Sequence, residues 1–349
     1  MHLADMGADV VKVEQPDRGD DTRSFGPPFV DEVSTYFLAV NRGKRSIALD
    51  FKSEEDKKLV LSLARRADVL VENFRPGVME RLGLGWESLR QENPRLVYCS
   101  ISGFGRAEDR PGYDLMVQGL SGIPSITGFG DEPTKCGASI ADLIAGMNAV
   151  QGILAALLRR GQTGKGGLVD VSMLDGQLSL LTYHASAWLN AQKEPQALGN
   201  AHPSIHPFRA YKTADAHLNL ALGNDALFSQ FCVLLGLEWH QDALYRTNAE
   251  RVRNREALDR LMVPLMASRT TGQWLELMEP NGFPCGPILT VPQALESATL
   301  AEHAHPSGRG VVRTVGLPYK IDEAPRAAHR APPSLGADRD SVLGDWLGT

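Results

Sequence analysis

One carboxylate stands apart in this sequence. Asp142 lies in Gly137-Ala-Ser-Ile-Ala-Asp142-Leu-Ile-Ala-Gly146, a run of small residues that opens an apolar helix. A carboxylate at the positive end of a helix dipole is favoured in its ionised form. With small neighbours it is accessible enough to act as a nucleophile. The same placement suits a plain helix cap, because Asp before an apolar run accepts hydrogen bonds from first-turn N–H groups. His202 and His206 are four residues apart, but Pro203 and Pro207 keep them off one regular helix face, so no metal site is expected. There is no GxGxxG after a strand, no Walker pattern, no GxSxG and no HExxH. Nicotinamide, nucleoside triphosphate, serine-hydrolase and zinc-hydrolase chemistry are therefore unsupported.

A second group of residues suggests an anion. Arg23, Lys44, Lys52, Arg75 and Arg81 fall in loops around the first three strands. In a parallel sheet, ligands bind beyond the carboxyl ends of the strands. Each cation alone reads as solvated charge; as a set they suit a large, phosphate-bearing ligand. The net charge of −6 gives no reason to expect nucleic acid.

The elements that must position these groups follow from pattern. Ala8–Val13, Arg45–Phe51, Asp68–Glu72 and Leu96–Ile101 read as strands, with helices over Ser53–Ala67 and Gly77–Glu92. This βαβα rhythm predicts an α/β fold with a parallel sheet. Asp142–Arg160 reads as a long helix, Leu168–Val171 as a strand and Met173–Ala191 as a helix. Composition changes after Gln192. The expected division is 1–192 as a large domain, 193–205 as a linker, 206–295 as a small α+β domain, and 296–349 as a return linker with the C-terminal part of the large domain. Met1–Met6 before Gly7 reads as the last turns of a helix with a glycine cap, so a strand and most of a helix are expected to precede it. Four cysteines (Cys99, Cys136, Cys232 and Cys285) lie far apart and fit neither a zinc site nor a disulfide framework, which favours a reducing, cytoplasmic setting. No apolar run approaches the ~18 residues of a membrane span, so no membrane partner is expected.

Taken together, GADVVKVEQP, GDDTRSFGPPF, NRGKRSIALDFK, VENFRPGVMERLGLGWESL, RPGYDLMVQGLSG, the Asp142 segment and TGKGGLVDVSMLDGQLSLL resemble the class III coenzyme A transferases. That family includes formyl-CoA:oxalate transferase, carnitine CoA transferase and α-methylacyl-CoA racemase. The resemblance covers nearly the whole chain. It is nearest to the dicarboxylate branch, the succinyl-CoA:glutarate (hydroxymethylglutarate) transferases, through GDDTRSFGPPF, Ala201-His202-Pro-Ser204-Ile205 and Gly286-Pro287-Ile288.

The resemblance implies a Rossmann-like large domain with a parallel sheet, a smaller α+β domain, and an interlocked homodimer. It implies CoA transfer from an acyl-CoA to a small carboxylic acid, with CoA as cosubstrate, no permanently bound cofactor and no metal. Asp142 is then the nucleophile. Leu49, Lys52, Asn73, Phe74, Arg81, Leu82 and Tyr113 match the CoA-binding positions. Arg23, His202 and Ser204 are the candidates for the remote carboxylate of a dicarboxylate acceptor. Two departures stand out: Gln15 occupies a place where some members carry an arginine near the adenine, and the family's first strand is not in this chain. A racemase is the alternative within the family, but it needs a histidine beside the residue matching Asp114, and here Tyr113 stands there. A tyrosine of ordinary pKa near ~10 is a poor base at neutral pH. A silent CoA-binding homologue is the third reading.

Overall fold

The computed structural model describes residues 1–319, 322 and 330–348. Strands and helices alternate as expected, and the strands that carry the sequence pattern are parallel. Val10–Glu14 pairs with Lys44–Ala48, Val10 opposite Lys44 and Glu14 opposite Ala48. A second ladder places Val97–Ser102 between Val69–Glu72 and Gly167–Ser172. The single sheet expected from the rhythm is thus two parallel ladders. Among the described residues, no strand pairs Val10–Glu14 with Val69–Glu72. β-branched content marks a segment as a strand, whereas its neighbour is chosen by distant contacts that the segment does not encode.

Two expected helices are each broken. Gly77–Glu92 becomes Val78–Arg81 and Trp86–Glu92, with Gly83 between them at φ 75°, a left-handed conformation that glycine adopts without penalty. Met173–Ala191 becomes Met173–Ser179 and Thr182–Ala191, parted where Thr182 takes φ 37°.

By contacts the chain divides into two units. The first comprises Met1–Ser121, Gly137–Leu181 and Ala298–Thr349; the second comprises Gly122–Cys136 and Thr182–Ser297. Gly122–Cys136 and Thr182–Ala191 therefore group with the second unit, where composition had placed them in 1–192.

The first unit is stitched together from both ends of the chain. Asp338 accepts from the Ser46 N–H at 2.8 Å, the Ser46 hydroxyl accepts from Gly336 N–H at 2.9 Å, and Arg45 meets Asp345 at 2.6 Å. Arg42 is buried and forks onto Asp5 at 2.9 and 2.7 Å, then reaches Thr314 Oγ1 and the Val315 carbonyl, both at 2.8 Å.

Its long helix, Ile140–Thr163, buries Ala141, Ala145, Ala149 and Ile153, one stripe at four-residue spacing. Small side chains let the helix approach the strands closely. A Cβ on Gly152 would stand 2.5 Å from Val169 Cγ1, so glycine is required there. By length and a mean hydropathy of 1.6, this helix is apolar enough to cross a membrane, contrary to the expectation that no segment approaches that length. The apolar residues are dispersed among Gly146, Asn148, Gln151 and Gly152, which hid the total from inspection of uninterrupted runs.

The second unit carries an antiparallel sheet in the order Cys285–Pro287, His217–Ala221, Phe208–Lys212. Leu218 and Leu220 alternate onto a core with Phe228, Phe231, Met262 and Trp274. The Trp274 indole N–H donates to the Met266 carbonyl at 2.8 Å, so its polar edge is satisfied inside that core. Capping boxes at Thr247 and Thr270 start two of the helices of this unit.

Candidate active site

Asp142 is not the cap of its helix. The helix begins at Ile140 after Ser139, whose side chain makes no capping bond, and Asp142 sits in the first turn. The cap comes from another element: Asp114 Oδ1 accepts from the Ala141 N–H at 2.9 Å. Gln118, fully buried, holds that carboxylate by donating to Asp114 Oδ2 at 2.8 Å and to the Ala138 carbonyl at 3.3 Å. One short helix, Asp114–Leu120, therefore fixes the start of the long one.

This leaves the Asp142 carboxylate without a hydrogen-bond or ion-pair partner among the described residues. Asp142 keeps contact with solvent, yet the protein packed around it, and then the charge of Asp114, push its carboxyl above the usual carboxylate range. The sequence pattern pointed the other way, to a dipole holding the group ionised. Asp114 was not recognised as the cap, and its negative charge already answers the dipole. A carboxylate with free lone pairs and a raised pKa has more nucleophilic strength than a paired one.

Asp114 and Tyr113 are delivered by a pinched loop. After strand Val97–Ser102, a Cβ on Gly112 would stand 2.4 Å from the Gly103 Cα, so the two ends of the loop touch backbone to backbone. Arg110 stacks on the Phe104 ring at 3.7 Å inside it. Tyr113 is 73% exposed.

The other positions matched to CoA binding gather after the strand ends of the same unit. Leu49 is buried and donates its N–H to the Glu14 carbonyl at 2.8 Å; it is a floor of the fold, with little surface to offer. Lys52 is exposed, and its ammonium has no partner among the described residues. Asn73 and Phe74 follow strand Val69–Glu72 directly; both are exposed, and Phe74 meets Phe51 edge to face at 6.4 Å. Arg81 closes the short helix Val78–Arg81 and is exposed, and Leu82 is half-buried behind it. Beside them is a small cavity of about 110 Å³ lined by Glu72, Arg75, Gly77, Glu80, Ser100 and Arg106. Arg106 escaped the sequence reading. It pairs with Glu80 at 2.7 Å, and its N–H reaches Asp170 at 3.3 Å. Its position in the Gly103-Phe-Gly105-Arg106 loop after a strand was the available signal.

Two members of the basic set are not free cations. Lys44 donates to Asn41 Oδ1 at 2.8 Å, and burial, then Lys12, push it down to about 8. Arg23 forks onto buried Glu14 at 2.8 and 2.7 Å, donates to the Pro333 carbonyl at 3.2 Å, and lies over the Phe37 ring at 3.9 Å. Its guanidinium fastens the loop after the first strand to buried Glu14 and to the Pro333 carbonyl. Sequence alone did not show this pairing, because Glu14 reads as an ordinary end-of-strand carboxylate.

His202 and Ser204, in the second unit, are brought together. Ser204 N–H donates to His202 Nδ1 at 3.1 Å, and the imidazole packs between Tyr183 at 5.2 Å and Phe208 at 5.4 Å. Burial, then the Arg255 charge, hold His202 below its usual range. Near neutral pH the imidazole is therefore neutral. Among the described residues no group of three or more His, Cys, Asp or Glu side chains is arranged to hold a metal ion.

The model of CoA-transferase family III matches residues 1–339. Succinyl-CoA:glutarate CoA-transferase of Mus musculus is 40% identical over 99% of this chain and 82% of its own length. Acetyl-CoA:oxalate CoA-transferase of Acetobacter aceti is 41% identical over 91% of this chain and 83% of its own. Among solved structures, a CAIB/BAIF family protein from Brucella suis superposes with a TM-score of 0.84 at 38% identity, covering 99% of this chain and 93% of that one.

Proposed function

This chain belongs to CoA-transferase family III, and from that premise we propose that it moves CoA from an acyl-CoA such as succinyl-CoA to a small dicarboxylic acid, with Asp142 as the nucleophile. The observation that carries the assignment is the Asp142 carboxylate itself. It is held in the first turn of a rigid helix by the Asp114–Gln118 brace, and no partner among the described residues takes up its lone pairs.

The chemistry needs a carboxylate. Asp142 attacks the donor thioester carbonyl, the C–S bond breaks, and a mixed anhydride and CoA thiolate result. The thiolate attacks the aspartyl carbonyl of the anhydride, which frees the donor acid as its carboxylate and leaves an aspartyl-CoA thioester. The acceptor carboxylate then attacks that thioester, the thiolate leaves, and it attacks the acceptor carbonyl of the second anhydride. Acceptor-CoA departs and Asp142 is restored. Every intermediate stays activated, so the energy of the thioester is kept; a serine ester would dissipate much of it.

Lys52 and Arg81 suit the phosphates of CoA as exposed cations beside strand ends. Asn73, Phe74, Leu82 and Tyr113 suit the adenine and the pantetheine arm. Because water would hydrolyse the anhydride, the site must be shielded during reaction. A homodimer is the proposed shield. The long helix of Asp142 exposes Leu143, Met147, Leu154 and Leu158 along one stripe, an apolar face that suits another protein surface.

The test is CoA exchange from succinyl-CoA to a panel of acids (glutarate, hydroxymethylglutarate, oxalate, malate, itaconate) alongside Asp142→Ala. Transfer that disappears in Asp142→Ala supports the reading and names the acceptor. Transfer that persists in the variant overturns Asp142 as nucleophile. Light scattering of the purified protein tests the dimer.

A further inference from the structure

Strand Val97–Ser102 carries a polar row at its carboxyl end. In register, Ser100 stands between Glu72 and Asp170 on the flanking strands, and Ser102 stands beside Ser172. Register partners share a face of the ladder, and Tyr98, two residues before Ser100, shares it too. Arg106 spans this row. Its side chain donates to Glu80 at 2.7 Å, and its backbone N–H reaches both carboxylate oxygens of Asp170 at 3.3 Å. Its guanidinium lies over the ring of buried Tyr98 at 5.8 Å. Glu72, Ser100, Glu80 and Arg106 line the small cavity at the strand ends. One residue thus joins its own strand end to Asp170 of the next strand and to the helix Val78–Arg81 that follows Val69–Glu72.

Arg106 belongs to the loop 103–112, whose two glycine ends touch. The Gly103 carbonyl accepts from Leu174 N–H at 3.0 Å, which secures the first end. Within the loop, Glu108 N–H donates to the Gly105 carbonyl at 3.3 Å, and Arg110 pairs with Glu108 at 2.9 Å while stacking on Phe104. These contacts shape the loop without attaching it to its surroundings. Residues 107–111 are exposed, so packing adds little hold. Among the described residues, Arg106 is the one side chain of the loop with a hydrogen bond or ion pair outside it. Gly112 runs directly into Tyr113 and Asp114, and Asp114 caps the long helix through the Ala141 N–H. The pinch leaves no slack between the loop and that cap.

We propose that Arg106 is a positioning residue: by anchoring the loop 103–112 between Glu80 and Asp170 it holds Asp114 against the first turn of helix Ile140–Thr163, and so keeps the Asp142 carboxylate in its setting. The inference rests on the transferase reading for what Asp142 does, and deepens it by naming what keeps the nucleophile in place. Arg106 acts through Asp114 and not on the reacting atoms. The charge that acts on Asp142 is that of Asp114. The strands packed on the long helix turn Val97, Cys99 and Val171 towards it, and burial pushes the Cys99 thiol up to about 12, so it stays neutral. Helix Met173–Ser179 meets the long helix at Gly176, and its Asp175 is exposed. A loosened loop would admit water beside Asp142 and draw Asp114 away; both changes lower the Asp142 pKa.

Amide hydrogen exchange tests the brace without any substrate. Two variants cut the same tie: Arg106→Met, and Glu80→Ala from its exposed end. In both, exchange should quicken about threefold or more across residues 103–112 and at the Ala141 N–H, with strand Val97–Ser102 unchanged. The acid limb of kcat/KM should move to lower pH, and kcat should fall about tenfold, because a slight misplacement of the nucleophile is costly. Arg106→Lys keeps a cation for Glu80 and should lie between wild type and Arg106→Met in both readouts. In Asp114→Ala the cap is already gone, so adding Arg106→Met should move neither the Ala141 exchange nor the acid limb further. Ala141 exchange unchanged in both Arg106→Met and Glu80→Ala overturns the inference. So does an acid limb unmoved in both, the result for a residue that only stabilises the fold, or an Arg106→Met effect as large in Asp114→Ala as in wild type. CoA transfer that survives Asp142→Ala overturns the transferase reading, and the amide exchange still decides the brace.

Discussion

The two turns that carry the candidate chemistry are built on opposite principles. At the start of helix Ile140–Thr163, surrounding groups secure the backbone and leave the Asp142 side chain unpaired. In the loop Ala201–Pro207, the side chains of Asn248, Arg251 and Arg255 secure the backbone, and the His202 ring is itself tied by Ser204. A nucleophile needs its lone pairs, so a paired Asp142 would be a weaker one. Arg23 shows a third arrangement: a cation that reads as free in the sequence forks onto buried Glu14.

The contrast can be broken by substitutions that should separate activity from stability. Asp142→Ala has the largest expected effect on activity, a fall in transfer of more than about 10³-fold. Because the carboxylate has no partner to lose, unfolding free energy should move by no more than about 0.5 kcal/mol. A large loss of stability in a urea titration would show that the side chain was holding the fold after all. Arg251→Met should do the reverse. It strands the carbonyls of His206 and Tyr245 and should cost about 2–3 kcal/mol in the same titration.

The buried end of the clamped loop gives a pH test. Burial, with the charges of Arg255, Arg209 and Arg251, pushes His206 down to about 3, even with Asp259 Oδ1 at 3.5 Å. In the unfolded chain this histidine titrates near 6.5, so the unfolded state binds a proton that the folded state refuses. Its contribution is fully present above about pH 6.5 and is lost as pH falls towards 3. Between pH 7.5 and 5 that amounts to about 2 kcal/mol. A urea midpoint series in His206→Gln should lack this component, and identical pH slopes in the two proteins would refute it.

The smallest expected effect concerns the brace at Asp142. Asp114→Asn keeps an oxygen for the Ala141 N–H but removes the charge, so the Asp142 pKa should fall. The acid limb of the kcat/KM profile should move to lower pH, because the nucleophile stays ionised further into acid. Asp114→Ala removes the cap as well and should cost about 1 kcal/mol. An unmoved acid limb in Asp114→Asn would mean that burial alone sets the Asp142 titration.

The α/β class, the four strands of the first hundred residues, the long helix of Asp142 and the family itself were legible in the sequence. Periodicity 2 and 3.6 are local properties, and the family motifs are contiguous strings. The place of Asp142 near the start of a helix was legible for the same reason. What the sequence left open was every pairing between distant residues. The division of the strands into two ladders, the helix cap supplied by Asp114, the commitment of Arg23 to Glu14, and the grip of Arg255 on the His202 carbonyl each join residues at least nine positions apart. A side chain's type sets which bonds it is able to make. Whether those bonds are spent on the fold or kept for a ligand depends on which neighbours folding brings within about 3 Å, and only the tertiary structure decided that.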